Sequence, residues 1–82
     1  MATVAAKKTE QFISRCMSLA SDVIGLPAHQ VWIDYDEETD VLYMNFRKPQ
    51  RATKTVEMNE DVLIRKDGSK IVGITIMNAS IH

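Results

Sequence analysis

One cysteine, three glycines and two prolines occur among the 82 residues, and each scarcity closes off a class of protein. The single thiol, Cys16, cannot staple the fold from within, so the chain does not read as a disulfide-built secreted scaffold. Three glycines are too few for a phosphate-cradling loop or a nucleophile elbow. There is no apolar run long enough to span a bilayer and no signal-peptide pattern, which points to the cytoplasm and away from the membrane. Charge of one sign is also missing. Ten Lys and Arg stand against eleven Asp and Glu, a net charge of -1, which argues against a surface that binds polyanions as a whole but leaves a local patch open. What is present, 45% apolar and 26% charged residues, is the balance of a soluble globular domain. A chain this short buries only about 60 to 65% of its unfolded surface, which makes partner subunits an expectation from the outset.

Residues 1–82 read as a single domain in two parts, a helical segment over 1–26 and a sheet over 31–80. Across residues 3–24, Phe12, Ile13, Cys16, Met17, Leu19, Ala20, Val23 and Ile24 recur at three- and four-residue spacing, which gathers them on one side of a helix. Gly25, able to take a left-handed conformation, and Pro27, unable to continue the ladder, mark its end. After Gln30 the pattern alternates, with β-branched and aromatic residues predicting strands at 31–35, 40–46, 53–58, 62–66 and 71–77. Asp67 and Gly68 supply the positive φ of a tight hairpin. The fold class expected is α+β, an N-terminal helix packed on a five-stranded antiparallel meander.

Alternation assigns Ile33, Leu42, Met44, Phe46, Val56, Met58, Val62, Ile64, Val72, Ile74 and Ile76 to one face, where the helix is expected to lie. The opposite face takes Trp32, Val41, Tyr43, Leu63, Ile71 and Met77 among polar residues, and one helix cannot cover both. An uncovered apolar area of that kind points to a homodimer. Trp32 and Tyr43 are rigid aromatics with polar tips, suited to anchoring a partner. Gly73, on the same face, leaves room for an aromatic or another subunit's backbone.

The order Tyr35-Asp36-Glu37-Glu38-Thr39-Asp40-Val41-Leu42-Tyr43-Met44-Asn45-Phe46, followed by Val62-Leu63-Ile64 and by Val72-Gly73-Ile74 leading to Asn78-Ala79-Ser80, resembles domain of unknown function 2283, an uncharacterised family of small bacterial proteins. The likeness covers about residues 31–80 and leaves the helix outside. It implies a compact antiparallel sheet and no defined catalytic residues. Some members are similar to small proteins encoded beside toxin-like ones, so the resemblance also implies a toxin-like polypeptide as a partner.

In a meander, alternate turns fall at opposite ends of the sheet. That gathers Asp34, Asp36, Glu37, Glu38, Asp40, Glu57, Glu60 and Asp61 at one end. Arg47, Lys48, Arg51, Lys54, Arg65, Lys66 and Lys70 gather at the other, where Asp67 alone offsets them. The ends stand about 15 to 20 Å apart for strands of five or six residues, further than the Debye length of about 8 Å at physiological salt. The basic end, with Arg47, Lys48, Arg51, Lys54, Lys66 and Lys70, is a candidate site for an acidic partner, or alternatively for a nucleic-acid backbone. No aromatic interleaves these cations and no recognition helix accompanies them, which weighs against nucleic acid.

Catalytic and metal chemistry find little footing. Asp36 and Asp40 lack the glycine and closing glutamate of a calcium loop, and read as a solvated hairpin turn with Asp36 capping the backbone. His29 and His82 come without a second ligand or a nearby nucleophile, and read as solvent-exposed. Cys16 reads as a buried, inert thiol in the helix stripe. The expectation is a protein with no enzyme activity, no cofactor and no bound metal. Its role is association with another polypeptide through the Trp32 and Tyr43 face or the basic end.

Overall fold

A computed structural model describes residues 4–82. Helix α1 (Val4–Ile24) precedes five strands, β1 (Trp32–Asp36), β2 (Val41–Asn45), β3 (Lys54–Glu57), β4 (Val62–Asp67) and β5 (Lys70–Met77), and a short 3-10 turn over Ala79–Ile81 closes the described chain. The expected strands lie within a residue of the observed ones, because alternation and turn residues are local signals. The expected helix start at Thr3 falls outside the described residues.

All strand pairs are antiparallel, as an α+β sheet of this kind requires, but the order is β1-β2-β5-β4-β3. The sheet is therefore not a meander. β2 does not pair with β3; the chain crosses the ends of β5 and β4 to reach the far edge, and β5 returns to fill the centre. The turns still alternate between the two ends, because every strand remains antiparallel to its neighbours.

Local chemistry fixes the turns. Asp36 Oδ1 accepts from the Glu38 and Thr39 amides at 3.1 and 3.4 Å, and Asn59 Oδ1 accepts from the Asp61 and Val62 amides at 2.9 and 3.0 Å, two side chains imitating backbone turns. Gly68 takes φ 62° in the turn closed by the Asp67 and Lys70 pair. The ladder between β4 and β5 slips once: Arg65 faces Gly73 while Lys66 faces Ile71. Val72 is the extra residue of this bulge.

Register defines the two faces. On one, Ile33, Met44, Ile74, Ile64 and Val56 form an unbroken apolar row through all five strands. A second row, Tyr35, Leu42, Ile76 and Val62, runs beside it, extended by Met58, whose amide donates to Val62 O at 2.9 Å. The bulge also corrects the sequence assignment of Ile71. Opposite Lys66 it shares the face of Ile64, and it lines a cavity of about 250 Å³ with Leu26, Pro27, Ala28, Phe46 and Ile74.

The helix does not cover this face. Every described helical side chain from Lys7 to Ile24 is exposed except half-buried Val23, with Phe12, Met17 and Ile24 at 70%, 71% and 83%. Cys16, expected in the core, is exposed as well. The segment after the helix lies beside the sheet, where Leu26, Pro27 and Ala28 line one cavity with Phe46, Ile71 and Ile74. Gly25 has no positive φ; its amide still donates to Ser21 O at 3.1 Å, and that of Leu26 to Val23 O. Pro27 thus ends the helix without a left-handed cap. The molecule extends 54 × 27 × 20 Å with a radius of gyration of 15.6 Å, against about 12 Å for a compact domain of this length. The core is correspondingly slight, and Val72 is the one fully buried large side chain among the described residues.

Candidate interaction surface

The two ends of the sheet carry opposite charge, as turn parity requires. At the acidic end the strongest organisation surrounds Asp40, which holds φ 55°. Its carboxylate accepts from the Tyr35 hydroxyl at 2.6 Å, the Ser80 hydroxyl at 2.8 Å and the Ser80 amide at 3.1 Å, while its carbonyl accepts from the Ala79 amide at 3.0 Å. Asp61 repeats the device one turn away. Its carboxylate takes Asn78 Nδ2 at 2.9 Å and His82 Nε2 at 2.8 Å, and its carbonyl takes the Met77 amide at 2.7 Å.

These bonds set the protonation of the groups involved. The Tyr35 hydroxyl and then the Ser80 hydroxyl hold the Asp40 carboxyl below its ordinary value of 3.8, since donors stabilise the ionised form. Asn78 and then His82 do the same for Asp61. Tyr35 is raised above 10.0, chiefly because ionising it would sacrifice its bond to Asp40. The two carboxylates are thus a clasp that ties the first and third turns to the segment after β5. This is more than the plain solvated turn expected for Asp40, and His82, expected to be simply exposed, is an Asp61 partner.

At the basic end, Arg47 is turned inward. Its Nε donates to Gln50 O at 2.8 Å, and Nη2 to Arg51 O at 3.1 Å and Asp67 Oδ2 at 2.8 Å. It is a fork holding the crossing loop over 46–53, with Lys48-Pro49 cis and Arg51 at φ 47°. Lys48, Arg51, Lys54 and Lys70 are exposed and Lys66 is half-buried. Lys54 and Lys66 stand directly opposite one another, a like-charge pair that an acidic group would relieve.

Trp32 and Tyr43 share the second face, where Trp32 pairs with Asn45, and Tyr43 lies between Asp34 and Thr75. Tyr43 is 37% exposed and Trp32 half-buried. The centre of this face is covered within the chain. Thr75 is 5% exposed and Gly73 is buried. Gln50 Nε2 donates to Asn45 Oδ1 across Gly73. A Cβ at Gly73 would fall on that amide and within 3.1 Å of Asn45 Oδ1. The space at Gly73 is therefore filled by Gln50 of the same chain, and not by an aromatic or another subunit's backbone.

The DUF2283 family model, describing proteins of unknown function, matches residues 32–80. The chain belongs to this family. The matched span holds the whole sheet and the clasp apart from His82, and omits α1, so the helix lies outside the DUF2283 part of the molecule. The residues that carried the resemblance have structural work in this DUF2283 chain: Tyr35 and Ser80 both donate to the Asp40 carboxylate, and Asn78 donates to Asp61. No match was found among curated proteins, nor among solved structures.

Sequence reasoning placed the basic residues at one end of the sheet and Trp32 and Tyr43 on one face, but missed the clasp and the Arg47 fork. Asp40 and Ser80 lie 40 residues apart, and no local spacing announces such a contact. The apolar face opposite Trp32 and Tyr43, assigned to the chain's own helix, leaves Ile33, Tyr35, Met58 and Ile71 exposed. No group of three or more His, Cys, Asp or Glu residues with metal-holding geometry occurs among the described residues, and no described helix is long and apolar enough to cross a membrane.

Proposed function

We propose that this protein is a non-catalytic binding protein that associates with another polypeptide. One observation carries the reading: an apolar helix stripe stands exposed and an apolar five-strand row is no more than half-buried, with Ile33 47% exposed, in a single chain, which a monomeric soluble protein rarely sustains. The carboxylates with shifted pKa support it from the other side, since Asp40 and Asp61 spend their oxygens on Tyr35, Ser80, Asn78 and His82. A shifted pKa in that setting has a structural cause and no cleft around it. The single thiol fits a reducing, cytoplasmic setting.

A test is capture from native cells with the full chain and with Phe12→Asp/Met17→Asp, second copies carrying a different tag included. A discrete polypeptide held by the wild type and released by the variant supports the reading. Equal recovery by both, or recovery of none, contradicts it. The five cations Lys48, Arg51, Lys54, Lys66 and Lys70 support a second reading, contact with nucleic acid. It predicts binding that falls steeply with salt and is lost in Lys48→Glu/Arg51→Glu.

A further inference from the structure

Two apolar surfaces of one chain are left without cover, and their dimensions match. The helix of 21 residues is about 31 Å long at 1.5 Å per residue. Five strands at about 4.8 Å spacing, each about 17 Å long, give the sheet a diagonal of about 26 Å, within about one helical turn of that length. The surface area says how much must be covered. The chain exposes 6690 Å², whereas a compact monomer of 9.3 kDa exposes about 5,000 Å². The excess, about 1,700 Å² per copy or 3,400 Å² for two, falls within the range of about 2,000 to 5,000 Å² buried by obligate dimers.

We propose that the occupant of each sheet face is α1 of a second copy, in a helix-exchanged homodimer. This rests on the reading of the protein as one that binds polypeptide, and it names the partner. The hinge favours exchange over folding back. Pro27 fixes its own φ and disfavours a helical conformation at Leu26, Leu26 to Ala28 line one cavity with Phe46, Ile71 and Ile74, and the helical side chains from Lys7 to Ile24 stay exposed apart from half-buried Val23. Charge sets the direction in which the exchanged helix lies. Lys7 and Lys8 near its N-terminus then approach the acidic turns, and Asp22 near its C-terminus approaches Lys54 and Lys66 of the opposite end.

The test uses the full chain with Cys16→Ser/Ser18→Cys, which moves the only thiol to the polar side of the helix and there carries a paramagnetic tag. Tagged chains of natural isotopic abundance are mixed and re-equilibrated with untagged nitrogen-15-labelled wild type. Exchange predicts broadening of the Met44, Ile64 and Ile74 amides in the mixture, and Met17→Asp in both chains abolishes it while leaving the sheet resonances dispersed. Broadening confined to samples in which tag and label share a chain places the helix on its own sheet and overturns the proposal. A dimer by mass with no broadening of that face in either sample overturns the exchange but spares the binding reading. A monomer with neither effect overturns the exchange, and the capture experiment then decides the binding reading.

Discussion

Arg47 offers the sharpest test of how the crossing loop is held. Arg47→Ala removes donors to two backbone carbonyls and one carboxylate. The side chain is 33% exposed and Asp67 41%, so the ion pair itself contributes only about 0.5 kcal/mol. The two carbonyl bonds from a charged donor contribute about 1 kcal/mol each after allowance for that exposure. The expected loss is about 2 to 3 kcal/mol, a fall of about 10 to 20 °C in melting temperature for a domain of this size. Asp67→Ala should lose about 0.5 kcal/mol. Arg47→Lys should lose at least half of the alanine effect, because an ammonium cannot span the fork. The assay is urea unfolding followed by Trp32 fluorescence at one fixed protein concentration, since association alters apparent stability. A lysine variant as stable as wild type, or an Asp67→Ala variant as weak as Arg47→Ala, refutes the fork and leaves simple charge pairing in its place.

Three further outcomes follow from the clasp and the glycines. The folded Asp40 and Asp61 carboxyls titrate below 3.8, so their stabilisation is complete above that value and fades as the pH falls through the depressed folded values. Folded Tyr35 titrates above 10.0, so its share is complete below pH 10.0 and fades as the pH rises through the folded value. Tyr35→Phe should move the Asp40 titration upward in a carboxyl-detected NMR series; an unmoved titration contradicts the clasp. Gly68→Ala, at φ 62°, should cost about 1 kcal/mol in thermal unfolding, with Gly68→Asn milder; an alanine variant as stable as wild type contradicts that backbone assignment. Gly73→Ala should displace the Gln50 amide and lose a hydrogen bond of about 1 kcal/mol, while about as much is regained by removing a strand glycine. Near-neutral stability with a shifted Gln50 side-chain NMR signal is expected, and an unshifted signal counts against the packing.

The elements were legible in the sequence because each is written locally. Alternation gives the strands, Asp36, Asn59 and Gly68 give the turns, and three- and four-residue spacing gives the helix. The order of strands was not, since β5 enters between β2 and β4 through pairings such as Asn45 with Gly73 that no short window contains. The longer, proline-containing stretch between β2 and β3 was the available hint, because adjacent strands need only a short turn. Faces were legible except at the bulge, where one extra residue carries Ile71 across. The helix stripe declared a need for cover without naming what covers it. The charged ends survived the change of topology because antiparallel pairing alone decides them, but Arg47, counted as a free cation, is consumed by its own loop.

Sedimentation equilibrium of the full chain at micromolar concentration tests the central claim most directly, that the helix stripe and the apolar strand row cover one another between two copies. A mass of twice 9.3 kDa, reduced toward one chain by Met17→Asp, is the predicted result. A stable single-chain mass would contradict it.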